Sequence, residues 1–282
     1  MKSKPFKSVV KRYKAVFFDA YGVLKNYKGL ITGMDHTLRY LAERQIGIFV
    51  LTNDASRSPQ QLADKFAAIG LPELTADKII SSGMLAREYL RLKVRAGRIA
   101  YLGTPDSAHY LKALGLDVVS IGDLDLDEID DIRAVVFLDD EGFDWNHDLN
   151  KTINLLRATN IPVVVANTDR AYPVSKHMIN IAIGGIADMM EDITGKRFIR
   201  FGKPDAQMFN FALEHVRKEH DLQRSDILMV GDTLQTDILG GNKFGLDTAL
   251  VLTGNTLPDQ ASFLIKSTGI IPDYVCESAV ID

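Results

Sequence analysis

Cysteine and tryptophan are nearly absent, since 282 residues contain one of each, Cys276 and Trp145. A single thiol closes no internal disulfide, which agrees with a reducing compartment and makes the cytoplasm the expected location. Cys276 has no motif around it and lies in a strand-like run near the C-terminal end, so a buried structural role is expected. Long hydrophobic runs are missing too. No apolar stretch approaches the roughly 20 residues that span a bilayer, and the basic start MKSKPFKSVVKRYK lacks the apolar segment and small-residue cleavage site of a secretory signal. Nor is one sign of charge in excess. With 33 Lys and Arg against 37 Asp and Glu the formal net charge is -4, which offers no footprint for nucleic acid or an anionic membrane as partner. Internal repeats and low-complexity tracts are also lacking. The densest charge run, GDLDLDEIDD at 122–131, is read as a solvated loop or helix face rather than a cation site. The six histidines, His36, His109, His147, His177, His215 and His220, show no zinc-ligand spacing and are expected to be structural or exposed.

What the chain has is alternation. Short β-branched or aromatic runs read as strands: AVFFD (15–19), GIFVLTN (47–53), RIAYLG (98–103), AVVFLDD (134–140), PVVVAN (162–167), DILMVGD (226–232) and TALVLTG (248–254). Between them lie segments such as MDHTLRYLAERQ, SPQQLADKFAAIG, PDSAHYLKALG, NHDLNKTINLLRATN and PDAQMFNFALEHVRKEH, whose apolar residues recur at three and four. Helix punctuation agrees, with Ser58 before Pro59 at a start and Gly70 or Gly115 at an end. Near-continuous apolar strands alternating with helices imply a parallel sheet covered on both faces, hence an α/β fold with a Rossmann-like, doubly wound sheet.

In such sheets ligands bind outside the carboxyl ends of the strands. Three strand candidates end in chemically useful groups: Asp19, the pair Thr52 and Asn53, and Asp232, with Asp237 and Lys203 as additions. Singly, each reads first as a helix cap. Together, DAYGVL, LTND, GKP and GDTLQTD, in that order, resemble the four motifs of the haloacid dehalogenase (HAD) superfamily of hydrolases. Over nearly its full length the chain looks like the NagD-like branch of sugar phosphatases, with MVGDTLQTDILGGNKFGLDTALVLTG as the most specific stretch.

The resemblance implies roles that physical need can check. Asp19 matches the nucleophile that attacks phosphorus and becomes an aspartyl phosphate. A carboxylate facing an anionic substrate needs charge neutralised around it, and Mg²⁺ does so with oxygen ligands. The matching ligands are Asp19, the backbone carbonyl of Tyr21, and Asp232, with Asp237 as a further ligand or an outer partner. Thr52 and Asn53 would donate to phosphoryl oxygens, and Lys203 would set a positive charge beside Asp19 and the phosphate.

Tyr21 departs from the family pattern, which places a second Asp two residues after the first. That Asp protonates the leaving oxygen and then activates water. A phenol with a pKa of about 10 donates a proton but is a poor base at neutral pH, and losing a general acid/base costs about 10² to 10⁴ in rate. Three readings follow. The chain is a Mg²⁺-dependent phosphatase, slow or using another carboxylate such as Asp54 or Asp169; or a non-hydrolysing phospho-ligand binding protein; or a dehalogenase, which also carries Tyr there. Asp232 counts against the last, because dehalogenases lack that metal carboxylate.

Spacing counts against it as well. Only 27 residues separate Leu24 from Thr52, too few for a large cap, whereas 149 separate Asn53 from Lys203. An inserted α/β cap domain is expected at 84–180, with the hydrolase core at 1–83 and 181–282, and such a cap would exclude water and choose the substrate. Its polar loops after strands, DDEGFDWNHD and ANTDRAYP, hold Trp145, which would stack on a substrate or pack, and Asp169, a candidate substrate-binding residue. The expected partner is a small phosphorylated metabolite, and the resemblance implies a homodimer.

Overall fold

The computed structural model describes residues 2–175 and 178–281, so His177 lies outside the described residues. The chain divides into two compact units, one formed by 1–52, 59–80 and 203–282 and the other by 53–58 and 81–202.

The first unit is built on a six-stranded sheet in the order Tyr274–Cys276, Asp247–Val251, Ile227–Gly231, Ala15–Phe18, Gly47–Thr52, Ile79–Ser81. Its central strands pair in parallel, with Phe18 in register with Val230 on one side and Val50 on the other. Every side chain of Ala15–Phe18 is buried, because helices cover both faces. Val16 and Phe18 join Leu38, Leu41, Leu62 and Phe66 in one core, while Phe17 points the other way and meets Phe49 edge-on at 6.0 Å between ring centroids. The helices Met34–Glu43 and Pro59–Ala68 supply Leu38, Leu41, Leu62 and Phe66. Cys276 is buried in this core, as expected of a structural thiol.

The second unit has its own five-stranded parallel sheet, ordered Ile199–Arg200, Val163–Val165, Ile132–Phe137, Arg98–Leu102, Asp117–Ser120. Alternation along Ile132–Phe137 feeds two cores. Val135 and Phe137 join Leu155, Ile186 and Met190, and Ala134 and Val136 join Ala86, Leu90 and Phe201. This unit is larger than the expected insertion at 84–180. The helix Ile183–Thr194 buries Ile183, Ile186, Ala187 and Met190 in it, and Ile199–Arg200 pairs with Val164–Val165, so the chain leaves it only at Gly202.

All seven strands read from the sequence are present, and the fold is the α/β architecture expected. The strands that sequence reading passes over are short or patterned weakly: Ile79–Ser81, Asp117–Ser120, Ile199–Arg200, and the hairpins Lys25–Asn26 with Gly29–Leu30 and Ala171–Ser175 with Met178–Ile181. The helix expected over PDSAHYLKALG shrinks to His109–Lys112, since 105–108 are turn. GDLDLDEIDD is a series of mostly exposed turns, in keeping with a solvated loop. His36, His109, His147 and His220 are exposed, and His215 bonds the Asp77 carbonyl at 2.8 Å.

Candidate active site

Register places the polar strand ends together in the first unit. Asp19 follows Phe18, whose partners are Val230 and Val50, so Asp19, Asp232 and Thr52 all fall at the carboxyl edge of adjacent strands. Asp19 is tied to the sheet by its N–H, which donates to the Val230 carbonyl at 2.9 Å. The strand Ile227–Gly231 ends at Asp232, and the chain then enters a π-helical turn, Leu234–Ile238, that carries Asp237 inward. Wide turns of this kind recur at functional sites because they redirect one side chain without breaking the helix.

Asp19, Asp232 and Asp237 each offer a carboxylate oxygen, and these oxygens lie within 4.8 Å of one another. Lys203 joins them from the segment before Ala206–Val216, whose start is capped by Asp205 accepting from the Gln207 N–H. Its Nζ donates to Asp19 Oδ1 at 2.6 Å and to Asp237 Oδ1 at 2.7 Å. Lys203 is 2% exposed, Asp232 1% and Asp237 0%, so these charges interact with little screening.

That burial shapes their protonation. Burial pulls the Lys203 ammonium down, but the neighbouring Asp19 and Asp237 outweigh it, and the net displacement is upward. Burial, then the charge of Asp19 and of Asp237, pushes Asp232 well above the usual carboxylate range. Asp237 rises to about 7 through burial and Asp19, although Lys203 opposes the rise. Fully ionised, the three carboxylates would carry two negative charges more than the one ammonium offsets, a state that the raised Asp232 and Asp237 resist. A divalent cation would offset both, and an all-oxygen donor set suits a hard one such as Mg²⁺ or Ca²⁺.

Two glycines make the approach to Asp232 possible. Gly22 has φ +81°, and a Cβ there would stand 2.1 Å from Asp232 Oδ2; a Cβ on Gly254 would stand 1.8 Å from the same oxygen. Only bare backbone fits on both sides of that carboxylate. Tyr21, beside Gly22, is half-buried and bridges to Lys25. Burial raises its phenol above the ordinary value, despite a bond involving Tyr27 that lowers it.

Asn53 and Asp169 belong to the second unit, which brings them together. The Asn53 amide donates to Asp169 Oδ1 at 2.9 Å and to Thr168 Oγ1 at 3.2 Å, and its carbonyl accepts from Ser82 Oγ. Sequence reading instead gives that amide to a phosphoryl group. Asp54 accepts from both the N–H and the hydroxyl of Ser56, a local turn. Trp145 stacks on Phe143 with 6.3 Å between centroids and donates to the Asp140 carbonyl. Residues that sequence reading passes over are Thr233, Thr253 and Asn255, which bond Asp232 or Gly22. Their only signal is adjacency to GD and TG, which carries no spacing rule.

A haloacid dehalogenase-like hydrolase family model matches residues 16–117, and a HAD-hydrolase-like model matches 200–279. Among solved structures, a possible sugar phosphatase of the HAD superfamily from Cytophaga hutchinsonii is 57% identical, covers 100% of this chain and 99% of its own, and superposes with TM-score 0.96. Chronophin from Bos taurus is 29% identical over 99% of this chain and 95% of its own length. Glycerol-3-phosphate phosphatase from Gallus gallus is 28% identical over 96% of this chain and 91% of its own. The chain therefore belongs to the haloacid dehalogenase superfamily.

Proposed function

We propose that this chain is a Mg²⁺-dependent phosphatase of a small phosphorylated metabolite, a sugar phosphate being the leading class, working through an aspartyl phosphate on Asp19. Its family models are those of hydrolases, and relatives that match along its length are named phosphatases. The observation that carries the proposal is Lys203 Nζ bridging Asp19 Oδ1 and Asp237 Oδ1, with Asp232 alongside, a cluster that when fully ionised is two positive charges short of neutrality. Asp19, Asp232 and the Tyr21 carbonyl would hold the cation, with Asp237 as ligand or outer partner. When bound, Mg²⁺ would neutralise charge on the phosphoryl oxygens and orient them for in-line attack.

The chain's own groups account for the rest. Lys203 fixes Asp19 through Oδ1, leaving Oδ2 to attack phosphorus while the bond to the leaving alkoxide breaks. Lys203 and Thr52 stabilise charge on the transferring group. Tyr21 donates its proton to the leaving oxygen. Its raised pKa makes it a still poorer base for the second step, so water is activated slowly or by another carboxylate. The same observation favours a second reading, a phospho-ligand binding protein that keeps the cation. Asp232 argues against a dehalogenase.

The second unit, formed by 53–58 and 81–202, is read as the family's cap domain, with Asp169 and Asn53 as candidate substrate-binding residues. No helix of the described residues is long and apolar enough to cross a membrane. The lone buried Cys276 supports a cytoplasmic location. Met178, Ile179 and Ile181, all exposed, supply apolar surface for a homodimer.

A screen of phosphorylated metabolites with and without Mg²⁺ tests the reading, following phosphate release and the mass of the Asp19 peptide. Mg²⁺-dependent release with transient labelling is expected. Persistent labelling with little release would identify a stalled second step, and neither signal would favour the binding protein.

A further inference from the structure

Asp232 is 1% exposed, and both of its oxygens are held by groups that no step above employs. Thr233 Oγ1 donates to Asp232 Oδ1 at 2.9 Å, and the Asn255 N–H donates to Asp232 Oδ2 at 2.5 Å. Asn255 also reaches back, its Nδ2 donating to Thr233 Oγ1 at 2.9 Å. A hydroxyl has one proton to give. With the amide N–H occupying a lone pair of Thr233 Oγ1, that proton is aimed at Asp232.

The same loop makes further ties. The Thr256 N–H donates to the Asp232 carbonyl at 3.2 Å, and Thr253 Oγ1 donates to the Gly22 carbonyl at 2.5 Å. Thr253, Asn255 and Thr256 thus join the DAYG turn to the GDT turn, two segments separated by some two hundred residues of chain. Gly254 lies between them without a side chain because Asp232 Oδ2 fills that space.

We infer that the loop Thr253–Thr256, acting through the Asn255 to Thr233 to Asp232 relay, positions the carboxylate that receives the divalent cation, making Thr233 and Asn255 positioning residues. A carboxylate free to rotate would present its oxygens to the cation in several geometries. One whose rotation is locked by an oriented hydroxyl and a backbone N–H presents a single geometry, which raises affinity. Outer partners of metal ligands are worth about 10- to 100-fold in affinity. The inference rests on the cation site of the proposed function and extends it to residues outside the first ring of ligands.

Calorimetric titration of the full chain with MgCl₂ alone, without substrate, tests it. Thr233→Val keeps shape and removes the hydroxyl, and is expected to weaken Mg²⁺ binding by about 10- to 100-fold. Thr233→Ser restores the hydroxyl and is expected to bind within a few-fold of the unaltered chain. Asn255→Ala leaves the backbone N–H in place and cuts only the far end of the relay, so a smaller weakening is expected. A folded Thr233→Val, judged by circular dichroism, that binds Mg²⁺ like the unaltered chain overturns the inference. So does Thr233→Ser binding as weakly as Thr233→Val, because bulk and not the hydroxyl would then matter. If Thr233→Val fails to fold, unchanged affinity in Asn255→Ala overturns the relay. If the unaltered chain itself takes up no Mg²⁺, the cation site of the proposed function falls first and the relay with it, an outcome separate from the others.

Discussion

Asp19, Asp232 and Asp237 in the first unit gather round a buried ammonium, whereas Asp139 and Asp140 in the second are held by hydroxyls. Tyr172 donates to Asp140 at 2.9 Å, and Thr104 approaches Asp139 at 3.5 Å. Among the described residues neither Asp139 nor Asp140 has an ion-pair partner. Burial, followed by the charges of Asp140, Asp54 and Glu141, lifts Asp139 to about 6. Burial and like charge make a carboxylate hold its proton more tightly, and among the described residues no ion pair opposes them in the second cluster. The first cluster also resists full ionisation, with Asp232 and Asp237 raised, but it holds in Lys203 a buried ammonium that the second lacks. Acidic residues close in space do not by themselves make a catalytic centre. The buried counter-charge separates one cluster from the other.

Four substitutions would break or sharpen that contrast. The largest effect is expected from Asp19→Asn, which removes the proposed nucleophile. Turnover should drop by about 10⁴-fold or more, and mass spectrometry should find no phosphate on the protein. Hydrolysis that survived would transfer the nucleophile's role elsewhere.

Lys203→Met should come next. It leaves Asp19 and Asp237 buried without their cation, so Mg²⁺-free protein should lose about 3 to 5 kcal/mol in urea unfolding, and turnover should fall by about 10²- to 10³-fold. An unchanged unfolding midpoint would mean that the bridge between the two carboxylates contributes nothing to the fold.

Tyr21→Asp would supply the carboxylate base that the family pattern places at this position, and turnover with the best substrate should rise severalfold. No gain, with phosphate still bound, would favour the binding-protein reading.

The smallest effect is expected in the second cluster. Because folded Asp139 titrates near 6, above its ordinary value, the folded chain binds more protons than the unfolded chain between about pH 4 and 6. Stability contributed there is full below that window and declines as pH rises through it. Asp139→Asn should flatten this slope and stabilise the protein at pH 8 on the order of 1 to 2 kcal/mol, discounted for partial exposure. Equal pH profiles for the two proteins would show that Asp139 ionises in the folded state as freely as in water.

Much of this was legible in the amino-acid order. Apolar runs of four to six residues ending in Asp, Thr or Asp again marked both the parallel sheet and its polar carboxyl edge, because a strand buried on both faces admits no polar residue until it emerges. Gly22 and Gly254 were visible as glycines. That both clear room for one carboxylate was not, since nothing in linear spacing relates position 22 to position 254.

The sequence by itself determined the fold class and the motif order and singled out Asp19, Lys203, Asp232 and Asp237 as candidates, because strand periodicity and strand-end chemistry are local properties. Tertiary structure alone decided which partner each polar group holds: Lys203 between two carboxylates, the Asn53 amide on Asp169, Asn255 and Thr233 on Asp232. Hydrogen bonds reach only about 3 Å, and chain folding, not chain spacing, brings groups within that range.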